Sequence, residues 1–177
     1  FVWQDPNGDS NMQDTEVDFF RWDRAAYAWT RPVKIATTGD LPAKNVEPVS
    51  VACDAKSGAL VVALPIAGSG VNIAISTDRG ATWKVTLVQS TEAPVASTAV
   101  AVDNGVVHLA WPHEGPGVEY RTGAVDQEVS KWSKQTSPAA SGWKTPDGSN
   151  VAIALDGSGK PLIAYYAEQE DGTNRRV

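Results

Sequence analysis

A recurring pair of apolar runs constrains this chain more than any other feature. Residues 50–64, SVACDAKSGALVVAL, share a plan with 99–111, AVAVDNGVVHLAW, and with 152–165, AIALDGSGKPLIAY. Each places apolar residues around an Ala, then an Asp, a short turn ending in Gly, and a second apolar run. Gly58, Gly105 and Gly159 each stand six residues before Leu64, Trp111 and Tyr165, and an Ala precedes each of those three. Asp suits such a turn because its carboxylate bonds nearby amides; Gly suits it because it accepts positive φ. DNG at 103–105 is a strong hairpin signal. The pattern predicts two strands joined by a tight turn. Runs apolar on both faces predict strands covered on both sides.

A second half follows each pair. VNIAISTDRGATW runs from Val71 to Trp83, and VDFFRWDRAAYAW from Val17 to Trp29, each twelve residues on; VEYRTGAVDQEVSKW from Val118 to Trp132 takes fourteen. Another β-like run follows, such as KVTLV at 84–88. The unit is therefore four strands, and its turn glycines recur at 47 (58 to 105) and 54 (105 to 159) residues. Four-stranded antiparallel units at that period predict an all-β fold, a β-propeller of four-stranded blades. The opening FVW aligns with VAL 62–64, inside a second strand, and the closing GTNRRV with GVNIAI 70–75, inside a third. About three and a half blades are expected, a piece of a longer propeller, with partial blades at 1–44 and 143–177 and full ones at 45–92 and 93–142. A complete, eccentric domain is the alternative.

Charge narrows the partners. Fifteen Lys and Arg against twenty-one Asp and Glu give a net charge of −6, with no basic cluster larger than NRRV at the end. Nucleic acid and anionic membrane surfaces are poor partners for such a chain. No apolar run approaches the ~20 residues of a membrane span. Cys53 is the sole cysteine, which forbids an intrachain disulfide; between Ala52 and Asp54 it reads as a small core residue. The sequence starts at Phe1 rather than Met, and an upstream segment is expected outside it.

STDRGATW, residues 76–83, falls between the third and fourth strands of a unit. Ser76 and Asp78 are placed to bond turn amides, Gly80 to take a conformation a Cβ resists, and Trp83 to cover the turn with its ring. Ser-x-Asp-x-Gly-x-Thr-Trp resembles the Asp box, the bacterial neuraminidase repeat of sialidase-like propellers, with Ser76, Asp78, Gly80, Thr82 and Trp83 filling its fixed positions. The copies at 22–29 and 122–132 are degenerate: the first keeps Trp29, the second Asp126 and Trp132. The resemblance implies an outer-rim turn with a structural role, and a secreted, periplasmic or cell-surface location.

A sialidase also needs three Arg for the substrate carboxylate, a Tyr nucleophile with a Glu partner, and an Asp acid. Arg31 is followed directly by Pro32 in TRPV, which departs from the family's Arg-Ile-Pro, so that role is not carried over. Glu119, Tyr120 and Arg121 are adjacent in one strand, where neighbours alternate faces, so they are not expected to converge. His108 reads as a packed histidine; His113, in PHEGPG, is placed to reach a ligand. Trp111, His113, Trp143 and Asp147 are expected along one face of the ring, where exposed Trp and carboxylate suit a sugar, with packing between blades as the alternative for Trp143. Asp5, Asn7, Asp9, Asn11 and Glu16 in DPNGDSNMQDTE have the donor spacing of a calcium loop, but Ser10 stands where such loops carry Gly and no flanking helices are expected, so the other reading is a solvated insertion. The function expected is a carbohydrate- or protein-binding propeller, non-catalytic in this segment. The alternatives are an exo-sialidase whose catalytic residues lie largely elsewhere and a scaffold subunit of a larger complex.

Overall fold

The computed structural model describes residues 16–37, 48–66, 69–91, 95–112, 117–138, 143–146, 149–169 and 175–176. Their regular elements are strands, apart from a single 3-10 turn at Val129–Lys131. No helix among them is long and apolar enough to cross a membrane.

Strand β1 (Glu16–Phe19) pairs antiparallel with β4 (Val33–Thr37), and the connection between them carries a small hairpin of β2 (Trp22–Asp23) and β3 (Ala28–Trp29). Next come β5 (Ser50–Cys53), β6 (Leu60–Ile66), β7 (Gly70–Ser76) and β8 (Lys84–Gln89), which form a four-stranded sheet in chain order. β9 (Ala99–Asp103), β10 (Val106–Pro112), β11 (Gly117–Ala124) and β12 (Ser133–Pro138) form a second sheet of the same plan. β13 (Trp143–Lys144), β14 (Val151–Leu155), β15 (Pro161–Tyr165), β16 (Ala167–Gln169) and β17 (Arg175–Arg176) complete the chain. Of these, β14 and β15 make a hairpin, and β13, β16 and β17 pair in that order. The leading strands β5, β9 and β14 lie side by side in sequence order.

The turns explain why the repeats fold alike. Gly58, Gly105 and Gly159 adopt φ of 75°, 75° and 78°. Asn104, at φ 49°, joins Gly105 in the left-handed region, as a two-residue hairpin matched to strand twist requires. Asp54 and Asp156 each bind backbone amides two residues on, at 3.0 and 2.8 Å, so the carboxylate closes the turn that the glycine permits.

Alternation then sorts the core. Val61, Ala63, Val71 and Ile73 face Val100, Val107, Leu109 and Trp111 between the two four-stranded sheets. Val62, Leu64, Ile66 and Ala74, on the opposite face, pack on Val17, Ile35 and Ala36. Burying side chains such as Leu64 or Val61 in full contributes about 1.5–3 kcal/mol each. Strand β6 is thus covered on both sides, as its continuous apolar run predicts. Two other runs are not. Ala152, Ala154, Leu162 and Ala164 lie exposed on one face of β14 and β15, where no described strand packs. Val51 is 62% exposed and Cys53 is exposed as well, which corrects the reading of Cys53 as a core residue. β1 and β4 cover that face over the inner strands β6 and β7 and leave β5 open.

Candidate functional site

The connection 76–83 leads from β7 into β8. Ser76, 1% exposed, accepts the Gly80 N–H on its hydroxyl oxygen at 2.8 Å and donates to Asp78 Oδ1 at 2.8 Å. Asp78 Oδ1 also accepts the Thr82 N–H at 2.9 Å, and Oδ2 accepts the Thr82 hydroxyl at 2.5 Å. These bonds, from the Thr82 hydroxyl first, then the Thr82 amide and the Ser76 hydroxyl, hold the Asp78 carboxyl down to about 2. A carboxylate so engaged is a poor proton donor at neutral pH; what it does here is fix a turn. Gly80 has φ +90°, and a Cβ on it would stand 2.3 Å from the Phe19 ring. Phe19 in turn lies 5.3 Å from the Trp83 ring, so the preceding sheet closes over this turn. Nothing in the sequence pattern points to Phe19 as that cover.

The run Glu119–Tyr120–Arg121 divides as alternation requires. Glu119 is 3% exposed, and its Oε1 receives Arg121 Nη2 at 3.3 Å and Lys134 Nζ at 3.2 Å. Arg121 also donates to Gln89 Oε1 of the neighbouring sheet and lies 5.8 Å over the Trp111 ring. Tyr120 is directed the other way: its hydroxyl meets His108 Nδ1 at 2.6 Å, and the two rings stack. Burial pushes the His108 imidazole below its ordinary value, against an opposing pull from the Asp103 carboxylate. Burial likewise raises the Tyr120 phenol, with the Thr122 hydroxyl opposing. Tyr120 and Glu119 therefore do not form a nucleophile pair.

The aromatic sugar face is corrected in part. Trp111 is 2% exposed and belongs to the core between sheets; Trp143 is 7% exposed. Neither presents a ring to solvent, because Arg121 covers Trp111 and Trp143 lies in a strand paired with Gln169. His113 and Asp147 lie outside the described residues, as do Asp5, Asn7, Asp9 and Asn11 of the acidic loop; Glu16 opens β1, and its side chain is not described. Among the described residues no three His, Cys, Asp or Glu gather to hold a metal.

The feature the sequence reading missed is the β2–β3 hairpin. Trp22 and Trp29 face each other across it, with ring centroids 5.4 Å apart. Tyr27 extends the row from Trp22 at 5.2 Å and Phe20 from Trp29 at 5.1 Å, all edge to face. Trp22, Tyr27 and Trp29 are 40%, 82% and 62% exposed. Period-two spacing, Phe20 with Trp22 and Tyr27 with Trp29 on either side of DRAA, was the signal available.

No family model matches the chain, and no curated protein matches it in sequence. Solved structures of similar fold exist. An intramolecular trans-sialidase from Ruminococcus gnavus, in complex with oseltamivir carboxylate, is 17% identical over 86% of this chain, with a TM-score of 0.51. The Hadza microbial sialidase Hz136 is 17% identical over 91%, with a TM-score of 0.54. A leech intramolecular trans-sialidase is 17% identical over 86%, with a TM-score of 0.50. At 17% identity the likeness is one of fold, and the chain spans 33%, 36% and 24% of those three structures, between about a quarter and a third of each.

Proposed function

We propose that this chain is part of a longer sialidase-like β-propeller that binds glycans outside the cytoplasm, with its described residues holding no sialidase catalytic set. The fold likeness supports the architecture, since fold alone does not assign activity. In this reading 45–92 and 93–142 are whole blades, 1–44 and 143–177 are partial ones, and Ser76, Asp78, Gly80, Thr82 and Trp83 form an Asp box that braces a rim turn.

The observation that carries the non-catalytic reading is the parting of Glu119 from Tyr120. Glu119 is paired with Arg121 and Lys134, and Arg121 lies over the Trp111 ring, while the Tyr120 hydroxyl is engaged by His108. A nucleophile and its base must meet within hydrogen-bond reach, and these two point to opposite faces of one strand. Binding to a glycan array without turnover of a fluorogenic sialoside is the expected result. Hydrolysis of the sialoside, abolished by Tyr120→Phe, would overturn it in favour of the exo-sialidase. The open face of Ala152, Ala154, Leu162 and Ala164 favours a second reading, a subunit packed in a larger assembly. The calcium loop of Asp5, Asn7, Asp9, Asn11 and Glu16 rests on donor spacing, and calorimetry with Ca²⁺ tests it.

A further inference from the structure

We infer that the β2–β3 hairpin binds an acidic, uronate-bearing polysaccharide through Trp22, Tyr27 and Trp29 together with Arg24 and Arg31. The inference deepens the glycan reading above and rests on it, but places the contact on this hairpin.

Exposed aromatic area of this size marks a recognition surface in a water-soluble fold. Here it is also rigid. The row Phe20–Trp29–Trp22–Tyr27 is locked edge to face, so the rings lose little freedom when a ligand lands on them. The backbone beneath is fixed by polar bonds: Asp23 Oδ1 accepts the Ala25 and Ala26 N–H groups at 2.8 and 3.1 Å, and Thr30 N–H donates to the Arg21 carbonyl at 2.9 Å. Tyr27 completes the turn at φ 51°, an unusual conformation for a bulky residue.

Charge complementarity names the ligand class. Arg21, Arg24 and Arg31 are exposed within residues 21–31, and Asp23 is the one acid in that stretch. The hairpin is thus locally cationic in a chain of net charge −6. Guanidinium groups pair carboxylates with directed hydrogen bonds. The form of the hairpin selects among anions. Its strands are two residues long, too short to extend a peptide by strand addition. An anionic bilayer would confront the negative remainder of the chain. A linear polyuronate is narrow, offers pyranose C–H faces to the indoles, and repeats its carboxylates along its length.

Affinity gel electrophoresis of the whole chain tests this with polygalacturonate, its fully methyl-esterified form, and poly-glutamate. Retardation by polygalacturonate is expected, weaker by about tenfold or more with the ester and with poly-glutamate. Tyr27→Ala and the double variant Arg24→Gln/Arg31→Gln should each weaken it by about tenfold as well. Tyr27→Ala removes the ring that packs on Trp22, whereas the double arginine variant leaves the aromatic row whole, and circular dichroism of the Trp22–Trp29 pair should show that pair intact in both. Equal retardation by poly-glutamate would overturn the inference in favour of a plain polyanion or acidic-peptide site. Equal retardation by the ester, or array binding confined to neutral glycans, would overturn it while leaving the glycan reading standing. Unchanged affinity in both variants would overturn it by placing the site elsewhere. No retardation by polygalacturonate and no glycan bound on the array would sink both.

Discussion

The connections 76–83 and 20–32 occupy the same place in the fold: one leads from β7 to β8, the other from β1 to β4, and they solve the same problem by opposite means. The first is short and polar, wound around Asp78 and closed by the Ser76 hydroxyl. The second projects a hairpin and holds it with a row of rings. A turn that satisfies its own amides can lie flat against a neighbouring sheet, as Gly80 does under Phe19. A hairpin held by aromatic side chains keeps them on its surface, where they are open to a partner. The third such connection lies between these extremes, with a 3-10 turn at Val129–Lys131 and the Trp132 ring buried against Gly123.

Substitutions can break this contrast. Gly80→Ala combines a left-handed backbone with a methyl driven into Phe19, and should cost about 3 kcal/mol, read as a lowered urea midpoint with unchanged slope. Ser76→Ala leaves the Gly80 amide without its acceptor at a buried position and should cost about 2 kcal/mol by the same measurement. Acid sharpens the difference further. The Asp78 carboxyl falls from an ordinary 3.8 to about 2 in the folded turn, so its stabilisation is present in full above the unfolded value and is lost as pH falls toward the folded one. Stability should therefore drop between about pH 4 and 2, and Asp78→Asn should flatten that portion of the curve. Trp22→Ala should cost at most about 1 kcal/mol globally yet remove the far-ultraviolet signature of the paired indoles. A global loss comparable to that of Gly80→Ala would show that the hairpin supports the fold and is not merely carried by it.

The repeat was legible because turn chemistry is local. An Asp followed two to four residues later by Gly closes a hairpin whatever packs beside it, and the three glycines adopt φ of 75–78° for that reason. Alternation along β11 was legible too, since period two separates Tyr120 from Glu119 and Arg121 in any strand. Burial was not. Val51 and Val100 hold equivalent positions, yet one is 62% and the other 8% exposed, because exposure depends on the neighbouring sheet. Trp111 and Trp29 show the same limit: an indole suits a core and an exposed face alike, and the neighbouring sheet together with the Arg121 side chain buries Trp111 while Trp29 stays 62% exposed. The β2–β3 hairpin escaped because its strands are two residues long, so the spacing of Phe20 with Trp22 and of Tyr27 with Trp29 covers one period each, too little to set a strand apart from a turn.

The Asp54 carboxylate closes its own hairpin through Ser57 and also receives the Gly105 N–H at 2.9 Å, from a residue 51 positions along the chain. Adjacent sheets are thereby fastened to each other independently of the peptide that links them. A nick between Gln89 and Ala99 would leave this bond and the apolar contacts between the two sheets whole, so the fragments are expected to co-elute on gel filtration after limited proteolysis.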